Sequence, residues 1–284
     1  DKKEYQPKLQ IIAKEKEDNI HLLIEDNGVG ISKENLKKLV INSEIIFLCV
    51  PTPMKQSGEI DLSIIHETLD TISQEIKKAK INSSEKIIAI RSTVVPGTCD
   101  ELSKKYDFKF ASNPEFLTEK NALKDMENTE RVVIGSNDED VSNRIKSSYS
   151  LIFPAAIYRL ANTKTAEMIK YAANVALMAQ IINANEIYQI CQKLEINYED
   201  VKNAVLDDKR IGTNISVPGP DNDFGFGGKC FPKDLLAITF KAEQSGYNSK
   251  FLKAIWETNE KVRTNKDWLK IPGTTSENKT IGKK

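Results

Sequence analysis

The run Ile45-Ile46-Phe47-Leu48-Cys49-Val50, closed by Pro51-Thr52-Pro53, constrains the fold more than any other stretch of this 284-residue chain. Unbroken apolar residues leave no polar face for solvent. Bounded by prolines, which cannot donate to a sheet ladder, the run reads as a parallel strand covered on both sides. With Asp61 as N-cap, Ile64, Ile65, Leu69, Ile72 and Ile76 then recur at helical spacing and predict an amphipathic helix. Residues 86–90 predict a second buried strand ending at Arg91-Ser92-Thr93. The rhythm continues with a helix at 97–105 and strands at 108–111 and 131–135. Strands alternating with helices place this part in the α/β class, with a partial Rossmann-like parallel sheet whose ligands lie at the carboxyl ends of its strands. Val50-Pro51-Thr52-Pro53, Ser92-Thr93 and Asn113-Pro114-Glu115 fall at that edge.

At Thr163 the texture changes. Ala166, Ile169, Ala173, Leu177, Ile181, Ala184 and Ile187 form an apolar stripe running on to Cys191 and Leu194, which predicts one helix of about thirty residues. A helix that long is expected to connect domains or to form a subunit interface. Helical patterns resume at 198–206 and 234–262, flanking a Gly/Pro/Asp-rich loop at 212–228. The expected organisation is an N-terminal segment at 1–40, an α/β domain at 41–160, a mostly α-helical domain with its long connecting helix at 161–263, and a polar, fraying tail at 264–284.

Charge narrows the function classes. Lys+Arg and Asp+Glu are equal at 41 each, so no net basic field gathers nucleic acid or an anionic membrane. No apolar run approaches the ~20 residues needed to span a bilayer, and Asp1-Lys2-Lys3-Glu4 lacks the apolar core of a secretion signal, so a cytoplasmic location is expected. Cys49, Cys99, Cys191 and Cys230 lie far apart, and neither His21 nor His66 has a second ligand at metal spacing. Reduced thiols and no metal site are expected.

Six motifs stand in order: Phe47-Leu48-Cys49-Val50-Pro51-Thr52-Pro53, Arg91-Ser92-Thr93-Val94-Val95-Pro96-Gly97-Thr98, Ser112-Asn113-Pro114-Glu115-Phe116-Leu117, Ala166-Glu167-Met168-Ile169-Lys170-Tyr171-Ala172-Ala173-Asn174, Asp208-Lys209-Arg210-Ile211-Gly212, and Gly227-Gly228-Lys229-Cys230-Phe231-Pro232-Lys233-Asp234. In order and approximate spacing they resemble the UDP-glucose/GDP-mannose dehydrogenase family across roughly residues 41–263. The resemblance implies a two-step, NAD-dependent oxidation of a UDP-sugar C6 alcohol to a carboxylate, and a homodimer formed through the long helix. It makes Cys230 the nucleophile, whose thiohemiacetal is oxidised to a thioester that water then cleaves.

Lys170 and Asn174, at i and i+4, share one helix face; by the resemblance they stabilise the developing oxyanion. Asp234 orients or deprotonates the catalytic water by resemblance, while the residue pattern alone makes it the N-cap of the following helix. Thr93 and Glu115 are implied to lie by the reacting carbon and its water. Glu119, Arg210, Lys233 and Gly227 are implied substrate contacts, with Arg210 reaching from the partner subunit; Thr118 and Lys120 beside Glu119 depart from the family's Arg and Gly. Val50, Pro51, Thr52, Thr93 and Lys233 are the implied NAD contacts. Lys233 also favours the thiolate of Cys230 where the two are close.

The family's opening Gly-x-Gly-x-x-Gly turn, which holds the NAD pyrophosphate, has no match: Gly28-Val29-Gly30 continues as Ile31-Ser32-Lys33. Residues 9–39 are instead similar to a histidine-kinase-type ATPase segment, on the alternation of Ile20, Leu22 and Ile24 followed by Asp26-Asn27-Gly28-Val29-Gly30-Ile31. The match also stops soon after Asn259-Glu260-Lys261-Val262-Arg263, short of the family's third domain. The chain therefore reads as the middle of such a dehydrogenase. Its alternatives are a catalytically silent, dimer-forming remnant and an ATP-binding signalling fragment.

Overall fold

The computed structural model describes residues 9–16, 19–26, 33–118 and 121–277. It divides into two compact units, the first comprising Asp1–Pro51, Leu62–Met168 and Ile281–Lys284, the second Thr52–Asp61 and Ile169–Thr280.

In the first unit, β1 (Leu9–Lys16) and β2 (Asn19–Asp26) form an antiparallel pair separate from the main sheet. The main sheet has five strands in sequential order: β3 (Ile45–Leu48), β4 (Ile87–Ile90), β5 (Lys109–Ser112), β6 (Arg131–Gly135) and β7 (Ile157–Ala161). Its helices are α1 (Lys33–Asn42), α2 (Ser63–Ala79), α3 (Thr98–Lys105), α4 (Ala122–Glu127) and α5 (Glu139–Ser150). Strand β4 shows why a continuous apolar run is needed. Ile88 and Ile90 enter one core with Ile65, Leu69, Ile72 and Leu102, while Ile87 and Ala89 enter the opposite core with Val132, Ile134, Val141 and Ile145. A strand covered on both faces has no polar position to offer.

The α/β sheet is mostly parallel, as expected; at one junction, Ser112↔Gly135, β5 meets β6 antiparallel, and β6 and β7 run parallel to each other. Over its described residues, the connection between β5 and β6 holds the six-residue α4 and no full crossover helix of the kind a parallel pair ordinarily uses. Helix α2 takes Leu62 as its N-cap without a side-chain cap; the Asp61 carboxylate instead accepts from Ser276 Oγ at 3.2 Å. Helices α1, α4 and α5 and strand β7 went unread, although Asp138 caps α5 by accepting from the amides of Asp140 and Val141.

The second unit is helical. Helix α6 (Thr163–Lys193) has the predicted length, and its residues from Ile169 belong here, followed by α7 (Tyr198–Leu206), α8 (Phe231–Gln244) and α9 (Lys250–Val262). The single pattern expected at 234–262 is thus two helices. They part at Gly246, whose φ of +83° is a conformation glycine adopts without strain. One core gathers Met178, Ile182, Phe226, Leu235 and Ile255, another Ala184, Cys191, Tyr198, Ile215 and Val217.

The segment after α9 does not fray over its described residues. Trp268 is buried edge-on against Trp256, with ring centroids 5.7 Å apart. Further along, Thr274 O accepts from Met54 N and Met54 O accepts from Ser276 N, both at 2.8 Å. That pairing is why residues 52–61 belong to this unit. Among the described residues no helix is long and apolar enough to cross a membrane.

Candidate active site

In the second unit the buried face of α6 coincides with the apolar stripe only in part: Ala184 and Cys191 of the stripe are buried. Lys170, Tyr171, Asn174, Met178, Ile182 and Asn185 are buried, whereas Ile169, Ala173, Leu177 and Ile181 are half-buried and Ile187 is exposed. Polar groups are driven inside only where partners await them. Asn174 Nδ2 donates to Asp234 Oδ2 at 2.6 Å, and Lys233 Nζ donates to Asp234 Oδ1 at 2.6 Å. Both acidic oxygens are thereby engaged on a carboxylate that is 1% exposed. Asn174 and Asp234 are thus brought together, but Asp234 is not the N-cap it was expected to be. Helix α8 opens three residues earlier, at Phe231, with Cys230 in the cap position and Pro232 in the first turn, where its missing N–H costs nothing. Cys230 is exposed, and Lys233 is a buried residue whose ammonium is bound to Asp234.

The loop before Cys230 needs its glycines for packing as well as for conformation. Gly225 and Gly228 have φ of +62° and +76°. A Cβ on Gly227 would overlap the Arg263 guanidinium and the Asp267 carboxylate. Arg263 is buried among acids, 2.7 Å from Asp221 and 3.5 Å from both Asp223 and Asp267. Burial raises the Asp223 carboxyl, but hydrogen bonds from Asn265, Phe224 and Thr264 outweigh it and bring the pKa down to about 2.

In the first unit, the carboxyl ends of the strands form a hydrogen-bonded edge. Ser92 Oγ donates to Val50 O at 2.7 Å and accepts from Val50 N at 2.9 Å. Asn113 Nδ2 donates to Val133 O, while its Oδ1 accepts from Tyr149 Oη at 2.6 Å and Arg91 Nη1 at 3.2 Å. Burial lifts the Tyr149 hydroxyl to about 12, against the pull of Arg91. Thr93 and Glu115 stand half-buried at this edge, and Glu115 Oε2 accepts from Leu117 N at 2.6 Å. This is the edge at which dinucleotides lie in open α/β sheets, so the placement of Val50, Pro51 and Thr93 fits NAD.

Glu167, quoted above within a motif but given no role, spans the opening of α3. Its Oε2 accepts from Gly97 N at 2.6 Å and its Oε1 from Cys99 N at 2.8 Å. Burial raises its carboxyl, partly offset by those two bonds. The amides of Gly97 and Cys99 are therefore already engaged.

The remaining predicted residues are less convergent. Arg210 is exposed, its guanidinium bound to Asp208. Thr52 is buried in the second unit. Glu119 lies outside the described residues, as do residues 27–32 of the proposed ATPase segment. Three residues without a motif in the sequence, Asn185, Asn259 and Asp267, accept from the amides of Gly225, Phe226 and Gly228 at 3.0, 2.8 and 3.0 Å. Asn259 had a faint signal, a polar residue within an apolar helical pattern.

Comparison with known proteins places the chain in a family. The model of the UDP-glucose/GDP-mannose dehydrogenase family, NAD binding domain, matches residues 7–153, and that of its central domain matches 164–261. The first match takes in residues 9–39, the segment read above as similar to an ATPase. The UDP-glucose 6-dehydrogenase of Rickettsia felis is 38% identical over 79% of this chain and 49% of its own length. That of Bacillus subtilis is 38% identical over 78% and 47%. Among solved structures, a UDP-glucose dehydrogenase from Pyrobaculum islandicum superposes with a TM-score of 0.71 at 31% identity, over 80% of this chain and 52% of that one. The chain thus spans about half the length of the relatives it matches.

Proposed function

Because this chain belongs to the UDP-glucose/GDP-mannose dehydrogenase family, we propose that it carries the catalytic residues for NAD-dependent oxidation of a UDP-sugar C6 hydroxyl to a carboxylate. NAD supplies the hydride acceptor when bound, and Val50, Pro51, Thr52, Thr93 and Lys233 are its proposed contacts. Cys230 adds to the aldehyde carbon, keeps the sugar attached through the second oxidation, and is released when water cleaves the thioester. Lys170 and Asn174 stabilise the developing oxyanion; with one amide proton on Asp234, Asn174 retains a second to donate. Asp234 is the proposed water-orienting carboxylate. Thr93 and Glu115 are proposed for the reacting carbon and its water, and Glu119, Arg210, Lys233 and Gly227 for the substrate.

The observation that supports this reading most is the Lys233–Asp234–Asn174 cluster. Three buried polar groups satisfy one another at the start of the helix that Cys230 caps, an arrangement that packing alone does not require. A homodimer through α6 belongs to the same proposal, because Ile187, Ile190 and Leu194 lie exposed on successive turns. So does a cytoplasmic location, in keeping with four cysteines outside disulfides.

The test is NADH absorbance after UDP-glucose is added to the purified chain with NAD. Two NADH per sugar are expected, with turnover lost in Cys230→Ser. Lys170→Ala should lower kcat roughly 10²- to 10³-fold, the usual cost of removing an oxyanion donor. No NAD binding by calorimetry together with no NADH overturns the proposal for this chain.

A further inference from the structure

Residues 224–228 lead directly to Cys230, and side chains hold four of their five amides. Phe224 N donates to Asp223 Oδ1 at 2.8 Å, Gly225 N to Asn185 Oδ1 at 3.0 Å, Phe226 N to Asn259 Oδ1 at 2.8 Å, and Gly228 N to Asp267 Oδ1 at 3.0 Å. Asn259 also returns Nδ2 to Phe226 O at 3.0 Å, so one buried amide clamps both polar groups of a single peptide residue. Arg263 closes the frame. It is paired with Asp221, Asp223 and Asp267, and it fills the space that a side chain on Gly227 would take.

We propose that Asn259 and Asp267 are positioning residues for Cys230, acting through the backbone of residues 226–228. The inference rests on the reading of Cys230 as nucleophile and deepens it. A reacting atom must be held to a fraction of an ångström, and groups on loops achieve this only when a surrounding shell fixes the backbone. Cys230 follows Gly228 by two residues and occupies the cap of α8, where the helix's unpaired amides favour a thiolate. Held at Gly228 and Phe226, the thiol stays at that terminus. Released, it samples positions where its charge is less favoured. The segment carrying Asp267 thereby becomes part of the site's support, and Trp268, buried on Trp256, anchors it.

The experiment is iodoacetamide labelling of the full chain at pH 7, quantified by peptide mass spectrometry. Exposed Cys49 of the first unit serves as the internal reference. Asp267→Ala and Asn259→Ala should each lower the Cys230:Cys49 rate ratio about fivefold, the equivalent of one lost hydrogen bond. Asp267→Asn should stay within about twofold of wild type, because Gly228 N keeps an acceptor although the charge is gone. An unchanged ratio in both alanine variants overturns the proposal. So does an equal fall in Asp267→Asn, which would make charge the cause. If an alanine variant does not fold, Asn259→Asp is the milder lesion. It keeps the acceptor for Phe226 N but faces Phe226 O with an oxygen, and an unchanged ratio there is equally fatal. Labelling needs neither NAD nor sugar, so it remains readable if the dehydrogenase reading fails. Failure of the positioning proposal would in turn leave the turnover test of the wild-type chain unaffected. Where turnover is measurable, kcat per folded molecule, with the folded fraction read from tryptophan fluorescence, should fall with KM little changed; an unfolded fraction alone lowers only the uncorrected kcat.

Discussion

Asp223→Asn isolates one carboxylate whose contribution to folding can be worked out. Oδ1 accepts from Phe224 N at 2.8 Å, Thr264 N at 3.3 Å and Thr264 Oγ1 at 2.8 Å, and Oδ2 accepts from Asn265 N at 2.8 Å. These bonds join the loop before Cys230 to the segment after α9. Although burial opposes the charge, they bring the pKa from 3.8 to about 2. At ~1.4 kcal/mol per pH unit, folding gains ~2 kcal/mol from this group at neutral pH. The unfolded chain takes up the proton first. The contribution is therefore present above pH ~4 and is lost as pH falls through ~2, with about half remaining at pH 3. The asparagine variant cannot carry the charge. It should unfold ~2 kcal/mol more easily at pH 7 and ~1 kcal/mol more easily at pH 3. Trp256 and Trp268 are the chain's two tryptophans, and both lie in the second unit, so their fluorescence follows that unit alone during urea unfolding. The expected midpoint displacement at pH 7 is about 1 M urea. A variant within about 0.5 kcal/mol of wild type at pH 7, or an equal difference at both pH values, would refute the reasoning.

Asp234→Ala leaves the Lys233 ammonium buried without its carboxylate. The expected loss is about 3–5 kcal/mol in the same fluorescence assay, with a smaller loss for Asp234→Asn; equal stabilities would contradict the ion-pair account. Glu167→Gln can accept from only one of the two amides at the start of α3, and ~1–3 kcal/mol should go with the other. Burial holds the Glu167 carboxyl above its ordinary 4.5. Its contribution is thus greatest below that value and declines as pH rises through the raised one. The Gln variant should flatten this decline in melts taken from pH 4 to 7.

The residues themselves made β4 and α2 legible, because a strand covered on both faces must be apolar throughout and a helix on one face must repeat its apolar residues; β3, expected to be covered on both sides, stands at the sheet edge with Ile45, Ile46 and Phe47 only half-buried. The run Ile87–Ile90 and the series Ile65, Leu69, Ile72, Ile76 are buried in full. Strand direction was not legible. Nothing local to Arg131–Gly135 distinguishes a strand running with β5 from one running against it; the short α4 connection decides that. Helix α5 offered a readable cap at Asp138 that went unused.

Cys230 and its neighbours could be found in the sequence because their order and spacing are a one-dimensional pattern, and the length of α6 could be read for the same reason. Which face of α6 turns inward was decided by the tertiary structure. Of the apolar stripe, Ala166, Ala184 and Cys191 are buried, but Ile169, Ala173, Leu177 and Ile181 are only half-buried. The buried face also carries Glu167, Lys170, Asn174 and Asn185, because three of these find their partners in Gly97, Cys99, Asp234 and Gly225, forty to seventy positions away along the chain. A polar side chain is stable inside only when such a partner is brought to it, and hydropathy along the chain carries no record of that meeting.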